Sequence, residues 1–198
     1  MPSTTDTPTT ARLVSTRWTF VWALAASLGC AANIEALDPR DPTLPLETRA
    51  WIASAEDGVI VARAQHDVMR TRLAQAERWA ERIDETLADV SAFEAMARAR
   101  VDHARAALRE AEIATELSEA KRTLVYAESA VRHDRGDHDL EPLRARVESL
   151  RERKHEAARE TSRLRTEAED ATQAFWVAYA EHAASGADTT AFWTADLE

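Results

Sequence analysis

The chain has 198 residues, with 25 Lys and Arg against 35 Asp and Glu, and a single cysteine, Cys30. Its net charge of −10 repels nucleic acid and anionic lipid, whose binding proteins carry basic clusters interleaved with aromatic residues. One cysteine allows no intramolecular disulfide, which excludes the stapled framework of small secreted domains.

Near the N-terminus, Arg12 and Arg17 precede an apolar run from Trp18 to Leu28, and Cys30 follows it. A basic stretch, an apolar core of about 7 to 15 residues and a small-residue cleavage site form an export signal, in that order. The run is short for a membrane span, which takes about 20 apolar residues. Ser27-Leu28-Gly29-Cys30 resembles the lipobox of bacterial lipoproteins, in which a small residue precedes a cysteine that is acylated and becomes the new N-terminus. In that family a Leu lies three residues before the cysteine and a small residue comes next; here Ser27 and Leu28 stand in the opposite order. The resemblance implies that residues 1–29 are a removed signal peptide and that Cys30 carries palmitate-type chains. It also implies a protein held on a membrane of the bacterial envelope. Ala31, where an Asp would retain a lipoprotein at the inner membrane, implies the outer membrane and a body facing the periplasm. The other reading makes Cys30 an ordinary small residue of an uncleaved anchor or of a signal cut elsewhere.

Without residues 1–29 the chain keeps 23 basic and 34 acidic residues, a net charge near −11. Residues 30–46 hold Pro39, Pro42 and Pro45 among alternating charges, a composition that predicts an extended tether. Residues 47–184 are rich in Ala, Glu, Arg and Leu, with no proline before Pro142, which predicts helix throughout. The fold class is therefore all-α: a long antiparallel helical hairpin or coiled coil, or an elongated three-helix bundle.

Steps of four and three connect Met69, Leu73, Ala76, Ala80, Ile83, Leu87 and Val90 into a first coiled-coil seam. A second runs through Leu117, Ala120, Leu124, Ala127 and Val131. The third starts at Leu140, Leu143, Val147 and Leu150, and continues past Lys154 and Thr161 through Ala157, Leu164, Ala168, Ala171 and Phe175. One turn is plain, at 133–139: Gly136 can take positive φ, Asp139 is an N-cap, and Pro142 suits the following first turn. Ser91 with Glu94 forms a capping box that would divide 47–132 into two helices. The absence of Gly, Pro or a polar loop between Leu87 and Met96 favours instead one continuous or merely bent helix of about 85 residues. Its seam, only partly covered by the return arm, would then seek a second chain. Residues 185–198 form a C-terminal tail in which Asp188 could cap a short helix carrying Phe192 and Trp193.

Candidate chemistry is sparse. His133, Asp134, Asp137, His138 and Asp139 crowd the turn but lack the alternating acids and terminal Glu of a calcium loop, so they read as a solvated turn. Glu152 and His155 form half of a di-iron helix motif, without a second copy. Glu148, Glu152, Glu156 and Glu160 repeat every fourth residue, with Arg151, Arg159 and Arg163 placed to neutralise them, which describes an exposed helix face. No phosphate loop, nucleophile elbow or zinc motif occurs. Trp176 and Tyr179 would fill a wider end of the bundle or form a docking patch.

The stretch from Thr115 to Arg151, with its Leu117, Ala120, Leu124, Ala127 and Glu128 spacing and its acidic Gly/Asp turn, resembles a helical domain of unknown function found in bacterial envelope lipoproteins. That resemblance implies a structural or spacer role without catalytic residues. The expected protein is no enzyme and has no cofactor, metal or small-molecule substrate. Its partners are a membrane, through the lipid anchor, and another protein or a second copy, through Met69, Leu73, Ile83, Leu87, Trp176 and Trp193. A holdase-type chaperone and an adaptor of an export or efflux assembly are the other readings.

Overall fold

The computed structural model describes residues 36–87 and 91–186, and for residues 83–87 only the backbone. Three helices occupy nearly all of this span: α1 (Leu46–Leu87), α2 (Ser91–Arg132) and α3 (Glu141–Ala184). No strand occurs among the described residues. The fold is all-α, and the continuous helix of about 85 residues is not formed. α1 stops at Leu87, α2 begins at Ser91 with Glu94 in its first turn, and the two lie side by side.

Cross-helix contacts give the register. Thr48 meets His133 at 3.0 Å, Glu56 accepts from the Tyr126 hydroxyl, Arg63 pairs with Glu119 at 2.7 Å and Glu77 with Arg105 at 3.1 Å. Partner numbers fall on α2 as they rise on α1, so the helices are antiparallel. α3 runs antiparallel to α2 in the same way, through Glu128–Arg144 at 3.0 Å, Glu116–Arg153 at 3.2 Å and Phe93–Phe175. α1 and α3 each pair with α2 and not with each other along their lengths.

That central position explains the sequence of α2. Its buried residues, among them Phe93, Val101, Ile113, Leu117, Val125 and Ala130, do not fall on one stripe, because the helix is covered on two sides. α3 is covered on one side only, and its four buried residues, Val147, Leu150, Ala168 and Phe175, all lie on the third seam. Small residues set the closest approach: Ala127 and Ser129 are wholly buried, and Ser129 Oγ has no hydrogen-bond partner there.

Among the described residues the core forms three clusters. Leu37, Leu44, Ile52, Val125, Tyr126 and Ala130 form one end. Leu117, Ala120, Val147 and Leu150 hold α2 to α3 near the turn. At the far end Phe93, Met96, Ala97 and Phe175 are joined by Trp79 and Ala80 of α1, so side chains from all three helices meet.

Residues 36–45 are not an extended tether. Leu37 and Leu44 are buried in the first cluster, and Asp38 and Asp41 accept hydrogen bonds from the backbone N–H of Arg40 and Thr43 at 2.8 Å, folding the segment into successive turns. Two leucines and two Asp-centred turns outweigh the three prolines, because a turn needs no core of its own when a helix end offers one.

The α2–α3 turn also differs from expectation. Asp134, at φ 54°, takes the left-handed conformation, and Gly136 does not. Arg135 N–H donates to Ala130 C=O and Asp134 N–H to Val131 C=O, the paired bonds of a Schellman ending, and Asp is among the few non-glycine residues that tolerate that φ. Gly136 has a different use: a Cβ there would lie 3.0 Å from His138 Nε2. Leu140, not Asp139, is the N-cap of α3, while Asp139 accepts from Glu141 N–H at 3.1 Å.

Candidate functional site

Of the expected site residues, Cys30, Trp193 and the tail from residue 187 lie outside the described residues, as do the side chains of Ile83 and Leu87. Met69 and Leu73 are half-buried on the face that α1 turns to α2, so they are not an open seam. Antiparallel pairing of α1 with α2 places much of the first seam within its own chain, with Met69 and Leu73 half-covered there.

Trp176 remains half exposed, at 49%. Its neighbour Phe175 points inward and meets Phe93 edge-on, with ring centroids 4.4 Å apart and planes at 85°. Trp176 leans on the outer edge of Phe175 at 5.0 Å, and Tyr179 stacks nearby at 6.4 Å. The far end is therefore an aromatic plug with one wet side.

The carboxylate ladder is a solvated face. Glu148, Glu152, His155, Glu156 and Glu160 are all exposed, and Glu148 and Glu160 are tied to Arg151 and Arg163 at 2.8 and 2.6 Å. The hydrogen bond from Arg163 holds the Glu160 carboxyl below its usual range. General acid chemistry needs a carboxyl kept protonated by burial, the opposite condition.

Between the α2–α3 clusters the two helices leave a groove of about 1010 Å³. The third seam is thin along this stretch, where Ala157 shares the lining of the groove with Ala106 and Arg109. Ile113 and Leu164 floor it. Arginines wall it, but Arg105 is held by Glu77, Arg153 by Glu116 and Arg163 by Glu160, so most of their charge is answered within the chain. The groove has room for an extended ligand and no marked preference for its charge. Among the described residues no cluster of His, Cys, Asp and Glu is placed to hold a metal ion.

At the other end, Arg135 of the α2–α3 turn reaches back to Asp41 at 2.7 Å and to the Thr43 hydroxyl. Hydrogen bonds from Thr43 and Arg135 hold the Asp41 carboxyl down at about 2. Burial pushes the Tyr126 hydroxyl up to about 12, helped by its hydrogen bond to Glu56. A carboxyl depressed on folding contributes stability above its unfolded pKa, near 3.8, and loses it as pH falls through the folded value. The melting-temperature gap between the native chain and Asp41→Asn should therefore be present at pH 7 and close between pH of about 4 and about 2. A gap that stays constant across that range would show that Asp41 is not the titrating group.

No known protein family, curated protein or solved structure matches the chain.

Proposed function

We propose that this chain is a non-enzymatic lipoprotein of the bacterial envelope, a helical spacer or assembly partner tethered through Cys30 and facing the periplasm. The observation that carries the reading is the order of residues at the N-terminus: Arg17, an apolar run to Leu28, then Gly29-Cys30. The helical body suits such a role. Leu37, the first buried residue described, stands only seven positions after Cys30 in the sequence. Each helix exceeds 40 residues, or about 60 Å at 1.5 Å per residue, a useful length for holding one layer of an envelope from another. Among the described residues no helix is long and apolar enough to cross a membrane, so on this reading attachment rests on the acylated cysteine. The resemblance of Thr115 to Arg151 to a domain of envelope lipoproteins points the same way.

Labelled palmitate is expected to enter the full chain expressed in a lipoprotein-processing bacterium, and Cys30→Ala to abolish the label. Label retained after that substitution would place the attachment elsewhere. The adaptor reading is less well supported, since the turn at 133–139 is charged and Arg135 is engaged by Asp41 and Thr43, leaving little apolar surface for a helical barrel.

A further inference from the structure

We infer that the outer face of α1 is a self-complementary docking surface for a second copy of this chain, paired antiparallel about a two-fold axis. The inference does not depend on lipidation of Cys30.

Asp57, Val61, Ala64, Val68 and Arg72 recur at steps of four, three, four and four, so they form one stripe along α1. The stripe lies on the side of the helix opposite Ile52, Val59 and Ala62, which are buried against α2. Val61 is 55% and Val68 48% exposed, and Ile60 at the stripe's edge is 65% exposed. These three β-branched residues are poorer helix formers than the Glu, Lys or Arg that fill other exposed positions of the chain. Neither helix propensity nor packing within the chain accounts for them. A contact from outside would.

The charges at the two ends identify the occupant. Asp57 and Arg72 are exposed, and neither side chain makes an ion pair or hydrogen bond among the described residues. Fifteen residues of helix hold them about 22 Å apart, so they cannot meet within one chain. With the axis between Ala64 and Gln65, Asp57 faces Arg72 of the second copy, and Val61 faces Val68 of the second copy. Each contact then occurs twice, as an isologous interface requires. A parallel arrangement would set Asp57 against Asp57 and Arg72 against Arg72. The sequence minus, apolar, small, apolar, plus is complementary to its own reverse. A stripe of about four turns is small beside a standard interface, so the association is weak and reversible.

The test uses the full chain carrying Cys30→Ala in a non-ionic detergent, followed by sedimentation equilibrium. Asp57→Arg and Arg72→Asp should each weaken dimerisation about tenfold, because each turns two attractive contacts into two repulsive ones. The double variant should recover to within about threefold of the starting affinity, since the pairs are restored with signs exchanged. Oxidative cross-linking supplies a second readout. Ala64→Cys, near the axis, should form an intermolecular disulfide with itself, whereas Val61→Cys should do so only when mixed with the Val68→Cys chain. A chain that stays monomeric at the highest concentration reached would overturn the inference. So would dimerisation indifferent to Asp57→Arg, a double variant no tighter than the single ones, or equal self-cross-linking at all three positions. Circular dichroism should be unchanged in every variant, because these side chains are exposed and none belongs to the buried core. If a charge variant loses helicity, the cross-linking pattern decides alone.

Discussion

Phe93→Ala is expected to destabilise the protein by about 3 to 5 kcal/mol, the range for truncating a buried aromatic ring. Phe93 is 2% exposed, and its cluster is where side chains from α1, α2 and α3 meet. Its ring receives Phe175 edge-on, an arrangement that adds to the burial itself. The cavity left by alanine would be hard to close, because the neighbours are rigid rings of Phe175 and Trp79 on different helices. Since α3 buries only four residues, losing the partner of Phe175 also loosens its last two turns. Urea denaturation monitored by helicity measures the effect, and Trp176→Ala serves as control. That half-exposed residue should cost far less. A Phe93→Ala loss below about 1 kcal/mol would mean that the far end is not a packed core.

Much of this architecture is legible in spacing alone. The third seam appears in the structure as the face of α3 against α2, and the groove lies along its weakened stretch, at Ala157 and Leu164. The reversal before Ser91 is less legible. Glycine and proline are strong local signals, but the advantage of folding α1 back lies in burying Ile52, Val59 and Ala62 on the second face of α2, an energy of tertiary packing. The scattered apolar positions of α2 are the available hint, because a helix apolar on more than one side needs more than one neighbour. Residues 36–45 mislead for a related reason: composition counts prolines and charges, whereas Leu37 and Leu44 need only a helix end to cover them. The candidate surface shifts too. Met69 and Leu73 satisfy the heptad and turn inward, while Val61 and Val68, outside that register, remain in solvent.

Leu44→Ala tests whether the segment before α1 belongs to the fold, and it is expected to cost about 2 to 5 kcal/mol, as for other buried leucines. Leu44 is 2% exposed and packs with Ile52 of α1 and Val125 and Tyr126 of α2, so its removal opens a void under Tyr126. Around it the segment is fixed by polar contacts at its surface, from Asp41 to Arg135 and from Thr43 to Arg135. Exposed ion pairs of that kind contribute little by themselves, so the leucine carries most of the attachment. The substitution should therefore release residues 36–45 before it unfolds the helices. Limited trypsin digestion reads this separately from global stability: cleavage after Arg40 should be slow in the native chain and rapid in Leu44→Ala, at a temperature where helicity is unchanged. An unstructured tether would give equal cleavage rates and an unshifted urea midpoint. Either result would remove residues 36–45 from the core.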